Sequence, residues 1–272
     1  MSKQSGWQLS GHASDAYERY IVPAFMAAKA RELVEMAGVH AGARVLDVAC
    51  GTGVCTREAA RAVGPGGRVF GADLNQTMLD MARVVAQGHA GLPVEWHHAD
   101  AMALPFPPAT FDVGLCQYGL EFFPDRSQGL REIARVLVPG GRLALRVWRA
   151  LDRQPFYVAV IKALDQHLRV GVGAPIATAF TLAEADELRN LVTSAGFRDV
   201  HLRITVHPTR YSSLEEYTLG YLSASPVAGE VAAMDEAARR ALLNDVSTAL
   251  AYYVDDDGLA APTESHVVVA HT

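Results

Sequence analysis

The stretch from Arg44 to Val63 constrains this chain more than any other. Arg44-Val45-Leu46-Asp47-Val48-Ala49-Cys50 is a short apolar run between Gly42 and Gly51, which reads as a buried strand. Gly51-Thr52-Gly53 follows, and Thr56 to Val63 is Ala-rich and helical. The alternation then repeats. Arg68–Asp73 is a second strand, Asn75 caps a helix that Gly88 stops, and Val94–Asp100 and Phe111–Tyr118 are strands three and four. Asp125 with Gln128 forms a capping box for a helix whose core face is Leu130, Ile133, Ala134 and Leu137. Pro139-Gly140-Gly141 turns into a fifth strand, Arg142–Trp148. Strands alternating with helices specify a doubly wound, mostly parallel sheet with right-handed crossovers.

On either side the pattern is helical. Asp15 and Glu18 are placed to box the start of an N-terminal helix, Pro23 to break it or to open the next one, and Gly38 to end it. Beyond residue 148, Tyr157, Ile161, Leu164 and Leu168 share a helical stripe, and Thr181 with Glu184 caps a helix closed by Gly196. Val200–Val206 is a sixth strand. Ser213–Leu222 and Val231–Tyr253 are helical, and Val267–Ala270 is the last strand, giving seven. The 24 Lys and Arg against 30 Asp and Glu leave a net charge of −6, which lacks the field that a phosphate backbone rewards, so nucleic acid is not the expected partner. Met1–Asp15 has no signal-like apolar core, and no run approaches the ~20 apolar residues of a membrane span. Three cysteines without metal spacing, Cys50, Cys55 and Cys116, read as reduced thiols, and the expected location is cytoplasmic.

Ligands of open parallel sheets bind beyond the carboxyl ends of the strands. At those ends stand Asp47 with its glycine loop, Asp73, Asp100 and Gln117-Tyr118. A nicotinamide site would place Gly-x-Gly-x-x-Gly here with an acid about 20 residues on. Asp73 lies 20 residues after Gly53, but position 56 is Thr56, and Asp47 would repel a pyrophosphate. A carboxylate beside the loop suits a cationic, phosphate-free nucleoside, and S-adenosylmethionine (SAM) is one.

Val45-Leu46-Asp47-Val48-Ala49-Cys50-Gly51-Thr52-Gly53 resembles the glycine-rich motif of class I SAM-dependent methyltransferases. His98-Ala99-Asp100-Ala101, Phe111-Asp112-Val113 and Arg135-Val136-Leu137-Val138-Pro139-Gly140-Gly141 resemble later landmarks of that family. The similarity covers about residues 40–150, and the subgroup it resembles is the small-molecule type that includes the quinone-ring C-methyltransferases. The resemblance implies that Ala49, Gly51, Thr52 and Gly53 wrap the methionine end, with Asp47 answering its ammonium. It implies that Asp73 takes the ribose hydroxyls, Leu74 and Met78 pack on the adenine, Asp100 and Ala101 meet its amino edge, and Gln117 lines the path to the acceptor. Structural alternatives stay open: Asp47 as a cap for loop amides, Met78 as core, Asp100 as a turn residue.

Methyl transfer from a sulfonium is an in-line displacement, so alignment and water exclusion are the main requirements. The last strand of the family usually follows the sixth through a tight hairpin, whereas here residues 208–265 intervene. The expectation is a helical cap built from residues 1–40 and from insertions at about 149–180 and 208–265 of a SAM-binding domain, 41–272. It would carry Tyr17, Tyr20, Phe156, Tyr157, Tyr217 and Tyr221, an aromatic set suited to an apolar or planar small molecule. Tyr17, Tyr118, Glu121 and His12 are candidate bases, and Arg146 with Trp148, on one face of the fifth strand, is a candidate grip for an anionic or aromatic acceptor. No metal is expected: His97 and His98 point to opposite faces of a strand. A homodimer is compatible with the sequence. The competing function is a SAM-binding protein of this fold that transfers no methyl group.

Overall fold

A computed structural model describes residues 13–88, 91 and 93–272. The elements are α1 (Ala13–Ala16), a π-helical stretch (Tyr17–Met26), α2 (Ala27–Met36), β1 (Arg44–Val48), α3 (Val54–Val63), β2 (Arg68–Asp73), α4 (Gln76–Gln87), β3 (Val94–His98), β4 (Phe111–Gln117), α5 (Arg126–Val136) and β5 (Leu137–Trp148). Then come α6 (Pro155–His167), α7 (Ala174–Ala177), α8 (Ala185–Ser194), β6 (Arg198–Tyr211), α9 (Leu214–Ser223), α10 (Ala228–Ala232), α11 (Glu236–Leu250), β7 (Val254–Asp255) and β8 (Gly258–His271). The strand order is β3-β2-β1-β4-β5-β8-β6, and the two-residue β7 pairs with β8 off this path. β3, β2, β1, β4 and β5 are mutually parallel, and β8 is antiparallel to both of its neighbours. The order reverses between β1 and β4, so the ligand crevice of such a sheet opens at their carboxyl ends.

Alternation along each strand divides the core. Leu46 and Val48 of β1, with Leu143, Leu145 and Val147 of β5, face α5 and α8, while Val45 and Ala144 face α2 and α3. A third cluster joins the π-helical stretch, α6, α7, α9 and α11, and Tyr118 and Trp148 belong to it at the strand ends. The expected edge between sheet and insertion shifts inward. β6 and β8 stay paired from Arg198↔His271 to Tyr211↔Leu259, so the insertion shrinks to residues 212–257, whose end returns to the sheet through β7. The expected helix over 231–253 is two helices, because Asp235 accepts the amide of Ala238 and starts α11 afresh.

Two N-terminal expectations are corrected. Asp15 lies inside α1, and Glu18 pairs with Arg57 of α3 at 3.1 Å and closes no capping box. Pro23 interrupts nothing. A proline inside an α-helix removes an amide and clashes with the carbonyl four residues back. Here the helix widens, and the amide of Ala27 donates to the carbonyl of Val22, five residues earlier. Likewise, no side chain caps α8; Thr181 instead accepts from Arg126 at 2.7 Å.

Arg146 of β5 has no exposed surface. It pairs with Glu32 of α2 and donates to Thr205 of β6 at 2.9 Å, and Glu32 also meets His207 at 2.9 Å. Removing one member of a buried ion pair leaves the other charge uncompensated. The Arg146→Met variant should therefore lose about 3 kcal/mol of stability, the low end of the usual range because Glu32 keeps solvent and His207. Urea unfolding of the two proteins checks this, and equal midpoints would refute it.

Candidate functional site

The carboxyl ends of β1, β2 and β4 and the helices above them enclose a cavity of about 570 Å³. Of the residues assigned to a cofactor from sequence, Asp47, Ala49, Gly51, Asp73, Leu74, Met78, Asp100, Ala101 and Gln117 all stand in its wall. Thr52 and Gly53 do not. They support the loop from behind: the Thr52 carbonyl accepts from Arg57 at 2.5 Å. Gly53 has φ +82° and lies so close to Trp96 that a Cβ there would come within 2.2 Å of the indole. Ala49 and Tyr118 also have positive φ, 56° each. Non-glycine residues in that region cluster where a fold is held for function, and these two end the strands on either side of the crevice.

Asp47 is 1% exposed. Its carboxylate accepts from the Thr56 hydroxyl at 2.6 Å, the role of the threonine that stands where a dinucleotide loop would have glycine. Burial pushes the Asp47 carboxyl up to about 7, against the pull of that hydrogen bond. Asp73 accepts the Gly51 amide at 2.7 Å on one oxygen and the Asn75 amide at 2.8 Å on the other. Burial raises its pKa too, while the Asn75 and Gly51 amides oppose the rise. Asp100 accepts the Met102 amide at 2.9 Å, so it is at once a turn residue and part of the wall. Gln117 reaches the Met26 carbonyl at 3.4 Å, and its Oε1 has no partner among the described residues. Among the described residues, no lysine, arginine or histidine contributes to the wall. The three carboxyl groups in it make a surface complementary to a positive ligand and hostile to a phosphate.

The rest of the wall is apolar and aromatic. Tyr17, Tyr157 and Tyr221 line it as expected, whereas Tyr20, Phe156 and Tyr217 do not. Phe156 and Tyr217 pack against each other inside the helical layer, with ring centroids 4.9 Å apart, and Tyr20 covers Gly220. Ile21, Phe25, Met26, Phe122, Ile176 and Phe180 line the cavity without having been singled out. Trp148 is in the wall, but Arg146 is held below by Glu32 and Thr205 and is no anion grip.

The candidate bases fare unevenly. Glu121 is outside the wall; one oxygen accepts the Trp148 amide at 2.8 Å, and burial pushes its carboxyl up to about 8. Tyr118 offers the cavity its ring, because its hydroxyl is tied to Ser265 at 2.6 Å. Tyr17 lines the cavity, and burial followed by the neighbouring Glu18 raises its phenol, which keeps it a neutral hydrogen-bond donor. His12 lies outside the described residues. His97 stacks on Phe70, with centroids 5.6 Å apart, while His98 meets the Leu74 carbonyl at 2.8 Å.

Residues 26–159 match the model of the ubiE/COQ5 methyltransferase family. The demethylmenaquinone methyltransferase of Deinococcus radiodurans is 35% identical over 181 residues, 61% of this chain and 72% of that protein. The chain belongs to the ubiE/COQ5 methyltransferase family. The ubiquinone/menaquinone biosynthesis C-methyltransferase UbiE of Hahella chejuensis is 46% identical over 114 residues, 42% of this chain and 46% of that protein. The chain thus spans less than half the length of the first such relatives. The phosphoethanolamine N-methyltransferase 2 of Haemonchus contortus, solved with S-adenosyl-L-methionine, shares the fold (TM-score 0.60, 18% identity, 95% of this chain and 56% of that one). The class I methyltransferase resemblance read from the glycine loop and its later landmarks is borne out, as is the largely parallel sheet. Among the described residues, no helix is long and apolar enough to cross a membrane.

The raised Asp47 pKa fixes the sign of a stability effect. Between pH 4 and 7 the folded protein holds a proton on Asp47 that the unfolded chain has released, so stability falls as pH rises through that window. Asp47→Asn, which keeps an acceptor for Thr56, should remove this loss. Without ligand it should melt at least ~3 °C above the parent at pH 8, with the gap closing by pH 4. Melting curves across that range decide it, and a variant that melts lower at pH 8 would contradict the assignment.

Proposed function

We propose that this chain transfers the methyl group of SAM to a ring carbon of a small aromatic acceptor of the quinol class. The observation that carries the cofactor is the wall itself: Asp47, Asp73 and Asp100 in one cavity that no cationic side chain among the described residues enters. In this reading Asp47 faces the ammonium of the methionine end across the loop of Ala49 and Gly51, which Thr52 and Gly53 brace. Each Asp73 oxygen has accepted one amide and keeps a lone pair for a ribose hydroxyl. Leu74 and Met78 flank the adenine, with Asp100 and the Ala101 amide at its amino edge and Gln117 between cofactor and acceptor. When bound, SAM supplies an electrophilic methyl on a sulfonium.

The chain's own contribution is then orientation and exclusion of water. Phe25, Tyr118, Trp148, Tyr157 and Phe180 offer ring faces to a planar acceptor, and the relatives' names, quinone-biosynthesis C-methyltransferases, support a ring carbon as nucleophile. The N-terminal helix with residues 149–180 and 212–257 forms the cap over that acceptor. Tyr17 donates a hydrogen bond to acceptor oxygen. The ring carbon bonds to the methyl as the C–S bond of the sulfonium breaks, S-adenosylhomocysteine leaves, and the displaced ring proton passes to water; no strong base among the described wall residues is needed for an electron-rich acceptor. The three free, buried cysteines fit a reducing, cytoplasmic setting.

Incubation with SAM and a reduced 2-prenyl-1,4-naphthoquinol should yield S-adenosylhomocysteine and a C-methylated product by mass spectrometry. SAM binding without S-adenosylhomocysteine from any quinol or phenol would favour the non-transferring alternative. Asp73→Ala should weaken SAM binding at least tenfold, roughly the worth of a hydrogen bond to a charged group. An ammonium beside Asp47 favours its ionised form, so SAM affinity should rise with pH toward 7 and level off above it. Asp47→Asn should flatten that profile. Calorimetric titrations at pH 6, 7 and 8 check both variants, and an unchanged affinity in Asp73→Ala would remove the ribose assignment.

A further inference from the structure

Lys29 is a lysine with no exposed surface on a helix that otherwise buries alanine, leucine and valine. Its ammonium nitrogen lies 4.5 Å from the centroid of the Phe25 ring, 5.1 Å from Trp148 and 5.7 Å from Tyr118. Trp148 and Tyr118 are stacked on each other, with centroids 4.2 Å apart at 19°. All three rings line the cavity, and Lys29 does not. The amine donates to the Thr263 hydroxyl at 2.5 Å, which itself donates to the His207 carbonyl at 2.7 Å. A buried lysine that touches three ring faces and no carboxylate gains from the ring quadrupoles what it lacks in ion pairing.

We infer that Lys29 is a positioning residue for the acceptor: from behind the wall it clamps the Phe25, Tyr118 and Trp148 rings into the surface on which a planar substrate lies. This rests on the aromatic-acceptor reading of the same site. The clamp acts through charge, so it depends on the proton that Lys29 carries. The groups around that proton are Arg146 on β5, Glu32 on α2, His207 on β6 and Tyr118 on β4, with the neutral Thr263 on β8. Burial, then Arg146, make Lys29 give up its proton more readily than an ordinary lysine, against the pull of Glu32. As pH rises the ammonium is lost, the attraction of the rings goes with it, and the wall loosens.

The experiment compares Lys29→Met, Lys29→Arg and Thr263→Val with the parent, using SAM and the reduced prenylnaphthoquinol. Circular dichroism confirms folding first. Lys29→Met, which keeps the stem and drops the charge, should raise the acceptor KM about tenfold at pH 7, with kcat and SAM affinity little changed. Lys29→Arg stays charged and can stack on the rings. It should restore KM to within about threefold of the parent and flatten the fall in kcat/KM that accompanies loss of the Lys29 proton. Thr263→Val should shift KM in the same direction as Lys29→Met, by less. Tryptophan emission gives a readout independent of turnover: the parent should show a transition with rising pH, below the range of an ordinary lysine, that Lys29→Met lacks. A folded Lys29→Met with an unchanged KM, or an emission transition that persists in it, overturns the inference. If the parent makes no S-adenosylhomocysteine from the naphthoquinol, the acceptor reading fails by itself, and the emission titration still decides whether Lys29 clamps the rings.

Discussion

A carboxyl group buried under a glycine loop organises this molecule. Asp47 is short of water and has one strong hydroxyl donor in Thr56, so its charge is poorly supported. Several features shape the loop above it and the strand end beside it. Ala49 and Tyr118 adopt positive φ, Gly53 yields its Cβ volume to Trp96, and Arg57 ties the Thr52 carbonyl to Glu18 of the N-terminal helix. That last contact matters because it fixes the helical layer to the cofactor loop through one buried guanidinium. A ligand that orders the loop therefore also bears on the helix that carries Tyr17, Ile21 and Phe25.

The sheet and most of the acidic wall were legible in the sequence because both follow from local rules. Short apolar runs between turn residues marked β1, β2 and β4 to within two residues, Asn75 and Asp125 capped the helices they preceded, and the acids at the strand ends needed only parallel strand direction to converge. What escaped depends on tertiary partners. Nothing local says that Gly53 answers to Trp96, 43 positions later. The extension of β6 to Tyr211 is set by its pairing with β8, since an edge strand with alternating polar residues gives a weak periodic signal. Pro23 read as a breaker because the rule for α-helices does not cover a helix that widens around it. Lys29 was the most informative residue overlooked, although a lysine four positions after Phe25 on a stripe of Met26, Ala30 and Leu33 already breaks the apolar pattern.

The two halves of the cavity obey different physics, and the separate cores show why this is workable. Around Asp47, Asp73 and Asp100 the wall is backbone and carboxylate, set by β1 and β2, which have hydrogen-bond ladders on both sides, and by the edge strand β3. The aromatic half is made of side chains from the third core cluster, which packs mainly within the helical layer. A change of ring or aliphatic side chain there alters the shape of that half while the ladder, and with it the spacing of the three acids, stays put. Tyr118 and Trp148 are the exceptions, because they end sheet strands yet belong to the helical core. Their backbone is fixed by the sheet: the Tyr118 amide donates to the Arg146 carbonyl, and the Trp148 amide donates to Glu121. Their rings, however, answer to Phe25, Tyr157 and Lys29. Tyr118 and Trp148 therefore couple the sheet to the helical layer, and Lys29 sits at that junction, its nitrogen 5.7 Å and 5.1 Å from their ring centroids.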